Sequence, residues 1–548
     1  MEKGWRWLLP IAAVAGLVLM AACAGAEPTA TPTPTPTKAP AVVSTPTPTA
    51  TATPTGPKTG GILRAAYLED PKAMDPHQTV SSFDRSWVYD VCDPLVNFTQ
   101  DGVPDPKISL AQSWEISADG LTYTFKLRDA KFQDGTPVDA DAVKFSLERV
   151  LDPKLNFSYR AQIKDIKEVQ VVDPKTVRLT VGAPSAPFIL NLGERGGMPI
   201  SPTALKAKGQ EKFTTEPVCA GAFQLREWQP GSFWEVRKHQ DYWNKPLPYL
   251  DGIRYSVIPD GRVRVAAMEA GDADIAWLEE SHVALVEKNP QLGVSRFLGY
   301  GFEGLKWNRT LPPMDNFQVR KAVSMLVDAE AINKSVYQNL WKVAKGGEIP
   351  DTLWAYADLT DVRPKYDPKG AADLIKQTGL STPIPIKMVI TSSEPRRTAG
   401  ELVQGMLNGS GLFAVKMDVA TQAESTRLAF DERSYPLTVT GIGLRVDPDG
   451  MLSISLTSES FYNPSRAMKD ADQMEVDRLV AQAAKVFDIQ QRKQLYAQAQ
   501  RLSVEKLVSG IPFLYRGRFT GYRTWVKNID TLVGADGLWR SKELWLDK

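Results

Sequence analysis

Few side chains in this 548-residue chain are spaced for chemistry. The three histidines, His77, His239 and His282, lie far apart without metal-ligand spacing, so each reads as a structural or surface residue. "GYGFEG", Gly299 to Gly304, fits G-x-G-x-x-G literally. A dinucleotide site, however, needs a helix that opens there, so that its N-terminal amides face the pyrophosphate. The chain continues "LKWNRTLPPMDN", and Pro312-Pro313 forbids a long helix. No G-x-S-x-G elbow occurs, and "NGSG" at 408–411 reads as a turn. The aspartates of "DPDG" and "DADQ" lack the twelve-residue spacing of a calcium loop. No metal, cofactor or enzymatic activity is expected.

The cysteines say more. Lys3 and Arg6 precede an apolar run from Leu8 to Met20, followed by the small residues Ala21 and Ala22. Residues 1–22 read as a secretory signal, too short for a comfortable membrane span. Met20-Ala21-Ala22-Cys23 resembles a bacterial lipoprotein box, which makes Cys23 the expected lipid-bearing N-terminus; the alternative is cleavage that leaves a free protein. Between Pro28 and Pro57, nine of thirty residues are Pro and eleven are Thr, with Lys38 the one charge. Such a stretch has little apolar surface to offset its chain entropy, so 23–58 is read as a disordered tether. Cys92 and Cys219 remain, either as a disulfide or as two small buried thiols.

Positioning anything requires a folded body. Taking Lys3 and Arg6 from 65 basic residues, and Glu2 from 64 acidic ones, leaves 63 of each. Zero net charge argues against nucleic acid as a partner, and against an acidic membrane surface beyond the lipid itself. From about Lys58 to Lys548 the chain is too long for one hydrophobic core, so two or three lobes are expected. Strand and helix signals alternate along it. "LTYTFKLRDA" puts Leu121, Tyr123, Phe125 and Leu127 on one face, and "TVRLTV" repeats the period of two. "VDADAVKFSLERVL" predicts a helix behind Asp139 as N-cap, and "RVRVAAMEAGDADI" a helix closed by Gly271 before a strand. Another helix is predicted over "QVRKAVSML", with a second from near Asp328. Met474–Phe487 and Ile489–Leu507 are predicted as a helix pair, with Asp488 and Gln491 at capping-box spacing.

Several long stretches carry a resemblance, and they come in one order. They are "GGILRAAYLEDPKAMDPH", the run from "VYDVCDPLVNFTQDGVPDPKISLAQSW" to "VKFSLERVLDP", "VRLTVGAPSAPFI", "GAFQLREWQPGSFWEVRKHQDYWNKPLPYLDGIRYSVIPD" and "NRTLPPMDNFQVRKAV". From Gly60 to about Leu546 the chain resembles the extracellular solute-binding proteins of ABC importers in the dipeptide/oligopeptide/nickel family, family 5. The resemblance implies an α/β, class II periplasmic-binding-protein fold of two lobes joined by two crossovers. Lobe one would span 59–300 plus 511–548, with an α/β subdomain inserted at about 95–200, and lobe two 301–510. Gly299, Gly301 and Gly304 then fall at the first crossover, where glycines suit a hinge. Implied partners are a small-molecule or peptide ligand and an ABC permease with its ATPase. A monomer held to the outer face of the membrane by its lipid alone is expected, without nucleic acid.

Peptide-binding members pair an extended ligand with exposed strand edges. The matching edges here are Ser81-Ser82-Phe83 and Thr440 to Leu444, which includes Gly441, Ile442 and Gly443. Tyr159 stands where a cleft-facing aromatic is frequent, or is simply packed. Peptide binders usually show Gly-Trp, then an acid that meets the ligand's α-ammonium, then Asp-Pro. "TGIGLRVDPDG" keeps Gly441 and Asp447-Pro448, but Ile442 replaces the Trp and Leu444-Arg445 takes the place of the acid. A buried ammonium without a counter-charge costs several kcal/mol. The expectation is that no free peptide N-terminus is selected and that Arg445 meets an anion or a sugar hydroxyl. The alternatives are Arg445 in solvent, or Asp447 as the anchor. A sensory or chaperone-like surface role on the same scaffold also stays open. Nickel or haem transport is disfavoured by the scarcity of His.

Overall fold

The computed structural model describes residues 56–548, except 80, 81, 156 and 467 and the side chains at 82, 83, 84, 86 and 300. The signal, Cys23, the Thr/Pro stretch to residue 55 and Ser81 therefore lie outside the described residues.

The fold opens with β1 (Ile62–Tyr67) and then leaves it for a small antiparallel sheet, in the order β2-β3-β5-β4. Its strands are β2 (Ala111–Ile116), β3 (Thr122–Leu127), β4 (Ile166–Asp173) and β5 (Thr176–Val181). Alternation sends Tyr123, Phe125, Leu127, Val177, Leu179 and Val181 inward, where they meet Val143, Leu147 and Val150 of the helix Ala140–Leu151. Asp139 starts that helix, its carboxylate accepting from the Ala142 N–H at 2.9 Å. This is the inserted subdomain.

With β1, ten further strands form one large sheet: β6 (Phe223–Gln229), β7 (Phe233–Lys238), β8 (Gly252–Val257), β9 (Ile275–Leu278), β10 (Leu292–Trp307), β11 (Lys342–Val343), β12 (Ile384–Thr391), β13 (Phe413–Ala420), β14 (Leu437–Gly443) and β15 (Gly510–Arg523). The order is β13-β12-β14-β10-β15-β9-β1-β8-β7-β6, with β11 added on β15. Two long antiparallel strands, β10 and β15, join the β12–β14 side to the β1 and β6–β9 side. Leu292–Leu298 pairs with Gly517–Arg523 and Phe302–Lys306 with Gly510–Tyr515, leaving a break between Leu298 and Phe302. Gly299 and Gly301 sit in that break at φ +108° and +97°. A Cβ on Gly301 would stand 2.0 Å from the Ile442 carbonyl oxygen, and one on Gly304 2.1 Å from that of Ile511. "GYGFEG" is thus strand backbone passing close to its neighbours, and no helix starts there.

Cys92, just beyond the helix Ser82–Val91, is disulfide-bonded to Cys219, just before β6. The helices Phe317–Leu326 and Ala329–Tyr337 fall as the sequence predicts, Asp328 capping the second. The C-terminal pair differs in extent, forming Ala471–Ala483 and Ile489–Leu502. The first helix stops short of Phe487: the Lys485 and Val486 N–H groups turn to the carbonyls three residues back, and the Ala484 carbonyl accepts from the Ala186 N–H at 2.7 Å. Asp488 caps the second through the Gln491 N–H at 2.8 Å.

Candidate ligand cleft

The carboxyl ends of the parallel strands β1, β9 and β12 open onto one crevice, the position where open α/β sheets take ligands. A cavity of about 490 Å³ there is lined by Leu68, Trp277–Glu280, Glu303, Trp341, Arg396 and Arg516–Phe519, among others. Arg396 opens the helix that follows β12. Its Nε donates to Glu303 at 3.2 Å and its Nη1 to Gln422 at 3.2 Å. Its Nη2 lies against Gly441, where a Cβ would come within 2.6 Å of it. Glu303 is buried and also accepts from the Tyr337 hydroxyl at 2.5 Å. Tyr337 stacks on Trp341 with ring centres 3.6 Å apart, and the Trp341 indole N–H donates to Glu280 at 2.9 Å. Burial, above all, raises the Glu280 carboxyl above its ordinary range.

A second cavity, of about 440 Å³, lies between the subdomain and the loop that follows β14. Tyr159, Phe188, Glu194 and Arg195 line it from the subdomain, Arg445 and Asp449 from across it. Its other charges are mostly paired. Arg85 grips both oxygens of Glu194 at 2.9 and 2.8 Å, and Arg492 Nη2 reaches both oxygens of Asp447 at 2.8 and 3.0 Å. Burial, then the neighbouring Asp447, push the Asp449 carboxyl up to about 6. Arg195 differs from these. It is 8% exposed, stands 5.0 Å over the Tyr159 ring, and its Nε and Nη1 are buried without any hydrogen-bond acceptor. Burial, then Arg85, draw its pKa below the ordinary arginine value. Guanidinium nitrogens buried without an acceptor are costly, and Glu194, the acid beside Arg195 in sequence, has both oxygens on Arg85.

The sequence-derived site residues are only partly brought together. Ser82 and Phe83 begin a helix whose Trp87, Val88 and Val91 are buried, so they offer no strand edge; that expectation is corrected. Gly441 and Gly443 do lie on an edge. β14 pairs with β10 from Leu437 to Gly443, but with β12 only at Leu437 and Thr438, so Val439–Gly443 has one side without a strand partner. Ile442 turns the other way, 4% exposed, into a core with Phe302 and Leu444. Tyr159 is both packed and cavity-lining, its hydroxyl donating to the Asn191 carbonyl at 3.0 Å. Arg445 is exposed at the cavity rim. Asp447, with both oxygens on Arg492, is not placed to anchor an ammonium. Arg195, Arg396, Trp277, Trp341 and Glu280 escaped the sequence reading. The only sequence signal at Arg195 is an arginine held in a glycine-rich turn, "ERGG", inside a buried segment.

Residues 105–463 match the family model for bacterial extracellular solute-binding proteins, family 5, middle region. The chain belongs to this family. It is 31% identical to the glutathione-binding protein GsiB of Escherichia coli (strain K12) over 421 residues, 73% of this chain and 81% of that one. Among solved structures it is similar to DppA of Helicobacter pylori in complex with the peptide STSA (TM-score 0.71, 25% identity, covering 90% of this chain and 99% of that one). It is also similar to AgaA of A. tumefaciens R10 in complex with agropinic acid (TM-score 0.68, 25% identity, 89% and 99% covered). The family 5 chain thus has the two-lobed class II fold and is the solute-binding component of an ABC importer, a binding protein and not an enzyme. Among the described residues no group of His, Cys, Asp and Glu could hold a metal ion, and no helix is long and apolar enough to cross a membrane.

Proposed function

We propose that this protein is a lipid-anchored receptor, tethered through Cys23 to the outer face of the membrane. In this reading it closes as a monomer around a small carboxylate-bearing solute, peptide-like acids such as glutathione included. Arg195 carries the ligand class, because it is a buried guanidinium on the cavity wall whose Nε and Nη1 find no acceptor in the protein, and a carboxylate answers its charge. Arg445 faces the same cavity from across it, so an entering anion is met from both sides and favours the closed arrangement by its differential affinity. Glutathione, the peptide STSA and agropinic acid, the ligands named for the relatives above, are all acids. The open edge of β14 supports a peptide-like backbone laid beside Val439–Gly443. Selection of a free α-ammonium is not part of this reading, since Asp447 is committed to Arg492.

Closure needs a hinge. The β10 break at Gly299 and Gly301 lies opposite Arg516, between Tyr515 and Gly517, and we place the two crossovers there. Gly304 belongs to the close packing just beyond. The division into 59–300 plus 511–548 and 301–510 then shifts by about five residues on the returning strand. A lipid and tether raise the effective concentration of the closed form at its permease.

A thermal-shift titration of the full chain tests the ligand class. Glutathione and short peptides with a free C-terminal carboxylate should raise Tm, whether or not the N-terminus is acetylated, and C-amidated peptides should not. Arg195→Gln should remove the shift while leaving the unliganded Tm at or above the native value, because a buried unpaired charge is gone. Equal stabilisation by amidated peptides, or by neutral sugars alone, would sink the carboxylate reading.

A further inference from the structure

The tip of the C-terminal helix pair, on the lobe-two side, reaches the inserted sheet. Beside the Ala186–Ala484 hydrogen bond, the Phe487 ring lies on Gly120. A Cβ on that glycine would stand 2.7 and 2.9 Å from two ring carbons, and 3.0 Å from Pro184. Gly120 has φ +70°, so the turn between β2 and β3 uses both its backbone freedom and its missing side chain. Tyr123 meets the same ring edge-on at 6.4 Å. Phe487 nevertheless remains 40% exposed, a surface knob whose removal opens no core cavity.

This contact is wired to the cleft. Arg492 holds both oxygens of Asp447 through Nη2 and the Ala483 carbonyl through Nε at 3.2 Å. One guanidinium therefore fixes the hairpin tip to the loop that carries Arg445. Ser185 and Phe188, on either side of the clasped segment, line the Arg195 cavity. At the other end of that loop, Val446 lies against Gly102, where a Cβ would be 3.3 Å from its Cγ1. The cavity is thus bracketed by two contacts between lobe two and lobe one with its subdomain.

We infer that Phe487 on Gly120 is a clasp made only when lobe two meets the subdomain, and that Phe487 is a positioning residue that holds the cleft shut from outside the cavity. This rests on the closing motion proposed above, but not on the identity of the ligand. The ring contact belongs to the closed state alone, so deleting it shifts the open–closed balance by its whole contribution, about three- to tenfold for an edge-on aromatic contact.

The deciding measurement is amide hydrogen exchange in the full chain without any ligand, with small-angle X-ray scattering alongside. Phe487→Ala should speed exchange at the Ala186 N–H about three- to tenfold and enlarge the radius of gyration. Phe487→Leu should restore most of both, and amides of the helix Ala140–Leu151 should exchange as before. Unchanged Ala186 exchange in Phe487→Ala overturns the clasp. Faster exchange with an unchanged radius overturns its role in closure. Neither arm involves a ligand, so failure of glutathione to bind would count against the ligand class and leave this result standing on its own.

Discussion

At the scale of single residues, His77 shows what burial does to a titrating group. Arg149 Nη1 donates to its Nδ1 at 2.6 Å, which leaves Nε2–H to meet the Met198 carbonyl at 3.0 Å. Burial, against the pull of Asp75 and with the help of Arg149, lowers its pKa from 6.5 to about 4. The unfolded chain therefore takes up a proton near 6.5 that the folded chain refuses until about 4. Stability from this group is complete above pH 6.5 and is lost as pH falls through that window, by about 3 kcal/mol in all. Asp90 and Asp449 act in the opposite sense. Burial raises both to about 6, so the fold takes up their protons before the unfolded chain does and gains stability on acidification. Comparing Tm against pH for the native chain and His77→Gln separates the two. The variant should lose less between pH 6.5 and 4, and an identical slope would rule His77 out as the source. From its isolation in the sequence His77 reads as structural or surface, and its full burial makes it the former. Arg195 was not legible, because nothing in "ERGG" tells that the turn is buried against Tyr159 or that Glu194, its neighbour in sequence, is taken by Arg85.

Elements were more legible than sites. The period-two runs of β3 and β5, the Asp139 cap and the helix start near Asp328 announced themselves because their cause is local: alternation across a pleat and a side chain bonding its own helix start. The helix beginning at Ser82 and the early end of Ala471–Ala483 were not visible, the second lying where the chain bonds a residue about 300 positions away in sequence. β10 is the most demanding element, since its glycines are fixed by neighbours and not by turns. Gly304→Ala should destabilise by about 2–4 kcal/mol in a denaturant titration, its methyl having to displace the Ile511 carbonyl. Gly443→Ala is the matched control, with nothing within 4 Å of the added Cβ, and should change stability by less than about 1 kcal/mol. Equal effects would mean that β10 and β15 tolerate separation more easily than their spacing implies.

At the scale of the whole molecule, the two-lobed plan and the family followed from long collinear stretches, whereas the anchor rests on Met20-Ala21-Ala22-Cys23 and lies outside the described residues. Cys23→Ser should move the protein from the membrane fraction into soluble fractions and abolish incorporation of labelled fatty acid. Retention with the membrane would refute lipid anchoring through that residue. The loop after β14 has a further implication. Arg445 stands exposed between Leu444 and Val446, each 5% exposed, and behind Asp447, which Arg492 pins down. In the reading proposed above, the residues that seat the loop are therefore separate from the one that meets the solute. On that reading, a lineage carrying this scaffold can exchange position 445 in a single mutational step and retune what the cleft takes, with Arg195 still in place, without first surviving a weakened fold.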